Sequence, residues 1–179
     1  MTTNGLFIGR FQPFHKGHLM TVKFALGIVD QLIIAVGSSQ KSHEPRNPFT
    51  AGERIRMIKE SLDLDSEADI GRILIIPIPD IDMHSLWTHQ VDMLVPKYDV
   101  VFANDPFTVT LFRERGVNVI EAPLYRRNEM AATQIRRRMI AEGAWEDLVP
   151  MPVLKVIKEI NGIERLKAIS QKDMLGHTQ

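Results

Sequence analysis

The amino-acid sequence predicts an α/β fold: a doubly wound parallel sheet of about five strands, with extra helices at the C-terminal end. Three observations predict it. Short runs rich in Ile, Leu and Val recur along the chain, at GLFI (5–8), LIIAV (32–36), ILIIPI (73–78), VVFA (100–103) and VNVIE (117–121). The second, LIIAV, is continuous in apolar residues, as in strands buried on both faces. Segments with helical periodicity separate the runs, and strand–helix alternation of this kind winds into parallel βαβ units.

Each element has its own reason. Gly9 closes the first run, and Leu19, Val22 and Leu26 then repeat at helical spacing. Gly37 closes the second run, and the polar stretch 37–49 reads as a loop. Thr50 opens a helix reaching to about 62, with Ile55, Ile58 and Leu62 on one face. Glu53, three residues after Thr50, completes a capping box. Residues 84–95 and 107–115 read as helices. A helix over 133–142 is expected to start on Thr133 as N-cap and to end near Gly143. Helical periodicity resumes at 153 and is interrupted at Asn161-Gly162. One domain spanning 1–179, with a helical extension over about 150–179, accounts for the whole chain.

Bulk composition narrows the function. A length of 179 residues suits one domain, since roughly 100–200 residues per domain is typical. There is no cysteine, which excludes disulfides and thiolate metal sites and fits a reducing compartment. The 22 basic and 22 acidic residues cancel, so no global field attracts nucleic acid or anionic lipid. No secretory pattern and no membrane-length apolar run is found. A cytoplasmic protein without nucleic-acid or membrane partners is the expectation.

GRFQPFHKGH, residues 9–18, lies at the carboxyl end of the first strand, where such folds place ligands. The helix after it begins near Gly17 without a Ser, Thr, Asp or Asn cap, so its first N–H groups are expected to be free. Free N–H groups and the positive dipole end make an anion site. His15 and His18 straddle this helix start, Arg10 and Lys16 add fixed charge, and Gly17 lets a ligand approach the backbone. The set suits phosphate. The plainer alternative is a solvated basic turn. Two histidines without a carboxylate neighbour fall short of a zinc site, so no metal ligand set is assigned. After the second strand, Ser38 and Gln40 offer polar partners and Arg46 is a second candidate phosphate clamp. In TQIRRRM (133–139), Thr133 as N-cap sets Arg136 in the first turn, where its fork can grip phosphate oxygens. Arg137 and Arg138 then point about 100° and 200° away. Trp87, Val91 and Leu94 form a core stripe, although Trp87, in the first turn, keeps one ring face free. Trp145 reads as packing.

F-x-P-F-H-x-G-H after the first strand resembles the H-x-G-H motif of the nucleotidyltransferase superfamily, which has a Rossmann-like fold. GSSQKSHEPRNPFTAGER (37–54), the DI…LW segment (80–87) and TQIRRRM resemble the archaeal type of nicotinamide-mononucleotide adenylyltransferase, in the right order over nearly the whole chain. The resemblance implies transfer of the adenylyl group of ATP to nicotinamide mononucleotide, giving NAD and pyrophosphate. It implies catalytic roles for His15, His18, Arg136 and Arg46. ATP would meet Gly9, Arg10, Phe11, Gly17, His18, Thr133 and Arg136. The mononucleotide would meet Ser38, Gln40, Arg46, Asp80, Ile81, His84 and Trp87, the last stacked on the nicotinamide ring. Mg²⁺ would be brought with ATP, and the family suggests a homo-oligomer, a hexamer. The chain departs from the family pattern in three places. His84 stands for Asn, Ala103-Asn104-Asp105-Pro106 for Ser-Gly-Asn-Pro, and Met130-Ala131-Ala132-Thr133 for Tyr-Ser-Gly-Thr. Two alternatives follow: a sister enzyme acting on phosphopantetheine or a flavin nucleotide, and a weakly catalytic NAD- or nucleotide-binding sensor.

Overall fold

The computed structural model describes residues 2–123 and 130–175. Five strands, β1 (Asn4–Gly9), β2 (Gln31–Val36), β3 (Ile73–Pro77), β4 (Val100–Phe102) and β5 (Asn118–Ile120), form one sheet in the order β3-β2-β1-β4-β5. Every pairing is parallel; Leu6 sits beside Ile33 on one side and Val101 on the other. The helices are α1 (Lys16–Leu26), α2 (Ala51–Leu64), α3 (His84–Leu94), α4 (Pro106–Glu114), α5 (Ala132–Ile140), α6 (Met151–Glu159) and α7 (Gly162–Leu175). All five expected strands form within two residues of their sequence ranges. The C-terminal extension is the α6–α7 pair, its last four residues lying outside the described ones.

Both faces of the central strands β1, β2 and β4 are largely buried, which is why those strands read as continuous apolar runs, while the edge strands β3 and β5 are half-exposed. Phe7, Leu32, Ile34, Val36 and Phe102 face a core closed by α1, α2, α5, α6 and α7. Leu6, Ile33, Ala35 and Val101 face a smaller core closed by α3 and α4, through Val91, Val109 and Phe112. Leu94, expected in the α3 stripe, is instead 42% exposed. The buried stripe of α3 runs through Thr88 and Val91 to Val95, one position beyond the helix.

The chain winds outward from β1 to β3, then crosses back to place β4 on the other side of β1. The switch point therefore lies between the carboxyl ends of β1 and β4, where the diverging connections leave a crevice.

Candidate active site

Two adjoining cavities occupy that crevice. The first, of about 430 Å³, is lined by Gly9, Arg10, Phe11, His15, Gly17, His18, Thr133 and Arg136, with Ala103–Pro106 at the end of β4. The second, of about 530 Å³, is lined by Ser38, Asp80, Ile81, His84, Trp87 and Phe107. Gly9, Arg10 and Asp105 border both. The residues expected around ATP thus gather in one cavity. Those expected around a mononucleotide gather in the other, with two exceptions. Gln40 and Arg46 line neither: Gln40 accepts the Asp80 N–H through its side-chain oxygen (3.0 Å), and Arg46 stays close enough to Arg136 to act on its charge.

The start of α1 corrects the expectation of uncapped N–H groups. His15 is the N-cap, and its Nδ1 accepts from the His18 N–H at 3.3 Å. His18 Nδ1 accepts in turn from the His15 N–H at 3.2 Å. The two rings stack at 3.5 Å between centroids, 20° from parallel. This is a capping box built from two imidazoles, a residue type outside the usual cap set. It fixes the tautomers. An Nδ1 that accepts carries no proton, so each neutral ring must carry its proton on Nε2. Both histidines border the first cavity, and both are held there as N–H donors.

The surroundings keep both rings neutral. Burial lowers the His15 pKa from 6.5 to about 4. His18 lies among Phe7, Phe11 and Phe14, the last stacked on it at 5.6 Å. Burial, and then the neighbouring His15, hold its pKa well below the ordinary range. The Phe11 ring, 1% exposed, packs edge-on against His18 at 4.9 Å and backs it within the cavity wall. Gly17 has a steric reason as well as the expected one: a Cβ there would stand 3.1 Å from the His15 ring.

Arg136 lies on the same cavity, held by the opposite side of the loop. Its Nη1 donates to the Gln12 carbonyl (2.8 Å), its Nε to the Pro45 carbonyl (3.1 Å), and its Nη2 weakly to Thr133 Oγ1 (3.5 Å). A guanidinium has five N–H donors, so two remain without a partner among the described residues. Burial, then repulsion from Arg10 and Arg46, lowers its pKa to about 10. An arginine group that repels itself gains from an anion among its members. Thr133 is not the N-cap of α5. That position is Ala131, whose carbonyl accepts the first intrahelical bonds, from Gln134 and Ile135. Thr133 is the second residue of the helix, two positions after the cap, and its hydroxyl accepts from Arg136 instead. Arg137 is exposed, and Arg138 donates to the Ala144 carbonyl (3.2 Å), away from the cavity.

In the second cavity Trp87 is half-buried. One side packs on Phe112 (5.9 Å, edge-on), and the ring lies 6.4 Å from Phe107 at a 36° tilt. Trp87 is therefore both core and cavity wall. The His84 ring meets Phe107 edge-on at 5.0 Å. Ser38 is not a free hydroxyl, because it donates to Asp80 Oδ1 (2.9 Å). Asp105, which departs from the family pattern, caps α4 by accepting from the Thr108 N–H (2.9 Å).

Sequence reasoning missed Gln12 and Arg54. Gln12, 2% exposed, pairs its amide with both backbone groups of Phe49 (2.9 and 3.0 Å). Arg54 is fully buried and donates to four carbonyls. For Arg54 the available signal was a long polar residue four positions after the cap of α2, on the side that carries Ile58.

Residues 6–138 match the family model described as cytidylyltransferase-like. A nicotinamide-nucleotide adenylyltransferase of Saccharolobus solfataricus is 50% identical over 171 residues, which is 96% of this chain and 99% of that one. The enzyme of the same name from Pyrococcus furiosus is 46% identical over 93% of this chain and 88% of its own. Among solved structures, a bifunctional NMN adenylyltransferase/ADP ribose pyrophosphatase of Francisella tularensis, complexed with AMP and an Mn ion, has a TM-score of 0.80 at 24% identity. The match covers 96% of this chain and 54% of that one, so the likeness is one of fold and spans about half of the neighbour.

Proposed function

The chain belongs to the cytidylyltransferase-like family and, within it, to the nicotinamide-nucleotide adenylyltransferases, and from that premise we propose how its two cavities carry out the transfer of an adenylyl group from ATP to nicotinamide mononucleotide. ATP occupies the first cavity and the mononucleotide the second. An oxygen of the mononucleotide 5′-phosphate bonds to the α-phosphorus of ATP, the bond from that phosphorus to the α–β bridging oxygen breaks, and pyrophosphate leaves with it. No protein nucleophile is needed. The chain contributes position, and stabilisation of negative charge as it grows on the α-phosphoryl and the leaving group.

One observation carries this reading: two Nε2–H donors and the spare Arg136 N–H groups border one cavity at the switch point. The imidazoles act as neutral, preset donors and need no proton uptake before the reaction. Arg10 and Arg46 add charge around the phosphates. The free face of Trp87 takes the nicotinamide ring, and His84 is in place to bond its carboxamide. Among the described residues, no three His, Asp or Glu side chains gather closely enough to hold a metal ion. Mg²⁺ enters as part of the substrate, carried on the triphosphate.

The test is a substrate panel. The protein is incubated with ATP, Mg²⁺ and, separately, nicotinamide mononucleotide, nicotinate mononucleotide, phosphopantetheine and flavin mononucleotide. Pyrophosphate and NAD are expected with nicotinamide mononucleotide. Pyrophosphate with phosphopantetheine or the flavin alone would make this a sister enzyme, and tight NAD binding without pyrophosphate a sensor.

A further inference from the structure

Among the described residues Arg54 is the largest fully buried side chain, and it is charged. Its bonds go to backbone carbonyls. Nη1 donates to Arg10 O (2.8 Å) and Gly37 O (2.7 Å), Nη2 to Ser38 O (3.0 Å), and Nε to Thr50 O (3.2 Å). Four of its five donors are thus committed to three separate segments: the exits of β1 and β2 and the start of α2. Arg10 and Gly37 follow the last residues of neighbouring parallel strands, where the ladder no longer supplies partners for their carbonyls.

The positions it grips are the ones that shape the site. Just after Arg10, Phe11 has φ 50°, and just after Gly37, Ser38 has φ 48°. Non-glycine residues in this left-handed region persist when surrounding bonds hold them there. Arg10 borders both cavities, and Ser38 fixes Asp80 in the second. A core-filling role does not call for a guanidinium. Burying the charge is unfavourable, and burial lowers the Arg54 pKa to about 10. An apolar side chain would fill the volume without that penalty.

We infer that Arg54 is a positioning residue for both nucleotides at once, clamping the ATP-side loop to the mononucleotide-side loop so that the reacting phosphates meet at a fixed separation. The inference rests on the reading given under Proposed function. Lysine cannot replace the clamp, because three donors on one atom do not reproduce a planar fork reaching four carbonyls.

The test compares Arg54→Lys with Ile58→Val, a buried change on the same helix that leaves the clamp intact. Both are assayed well below their unfolding temperatures. Arg54→Lys should raise KM for ATP and for nicotinamide mononucleotide together, each by about tenfold, and lower kcat by about 10². Ile58→Val should leave all three within about twofold of wild type. A rise in only one KM, or effects no larger than the control's, would overturn the clamp. Should Arg54→Lys fail to fold, ¹⁵N spectra of the wild-type arginine side chains decide. Separate, slowly exchanging Nη protons for Arg54 support the clamp, and freely rotating ones overturn it. If the wild type forms no NAD, the functional reading fails instead, and the clamp is judged on dissociation constants for the two nucleotides, which should weaken together.

Discussion

His15 and His18 show how little sequence distance is needed to set a chemical state. Each caps the helix for the other, so each is a neutral ring with its proton on Nε2. The pH dependence follows. An unfolded imidazole binds its proton near 6.5 and folded His15 only near 4, so between these values the unfolded state holds more protons. Stability is complete above about pH 6.5 and declines as pH falls toward 4. His15 alone accounts for a loss of roughly 3 kcal/mol, and His18 acts in the same direction. Urea unfolding of the ligand-free protein from pH 8 to 4.5 measures this, and a flat profile would count against the paired cap. For activity, His18→Ala removes one donor to the developing charge and should lower kcat by about 10²–10³ while changing ATP affinity less. Steady-state kinetics beside equilibrium ATP binding separates the two effects.

Helix α5 places three consecutive arginines in three environments. Arg136 is fixed by Gln12 and Pro45, Arg137 is exposed, and Arg138 bonds the Ala144 carbonyl. Arg136→Lys should therefore weaken ATP binding by about tenfold, because it keeps the charge and loses the fork. Arg137→Lys should leave binding and stability unchanged, within about 0.5 kcal/mol. Calorimetric titration with ATP on both variants checks the contrast, and equal effects would indicate a diffuse basic patch. Helix α7 is tied to the site more directly than its place in the chain suggests. Arg165 holds both carboxylate oxygens of Glu53 (2.8 and 2.9 Å), and Glu53 also caps α2. Burial pushes the Glu53 carboxyl up, but the Arg165 and Thr50 donors outweigh it and hold it below the usual range. Arg165→Ala should lower unfolding stability by about 1–2 kcal/mol, read from urea midpoints at matched m-value.

At the level of the whole molecule, the sheet was legible in the sequence because its central strands are buried on both faces and read as unbroken apolar runs, with strand–helix alternation carrying the edge strands. The cap of α2 was legible because Thr50 and Glu53 recognise each other locally. The histidine cap was not, since imidazole lies outside the usual cap vocabulary. Thr133 was misplaced because nothing in the sequence shows that its hydroxyl faces Arg136. Arg54 and Gln12 were invisible for a different reason. Their partners lie up to 44 and 37 residues away, and no local pattern encodes a bond to a distant carbonyl. The parts that hold the site together were thus harder to read than the parts that face a ligand.

The tie between Arg165 and Glu53 also sets a schedule for the newborn chain. A ribosome adds about 5–20 residues per second, so it delivers the brace on the order of ten seconds after it delivers Glu53. For most of that interval the first strands, α1 and α2 exist without α6, and for all of it without a complete α7, so Phe49, Met57 and Ile58 lack part of the apolar cover those helices bring. Translation therefore makes every residue that lines the two cavities before it supplies the helices that cover the core behind them.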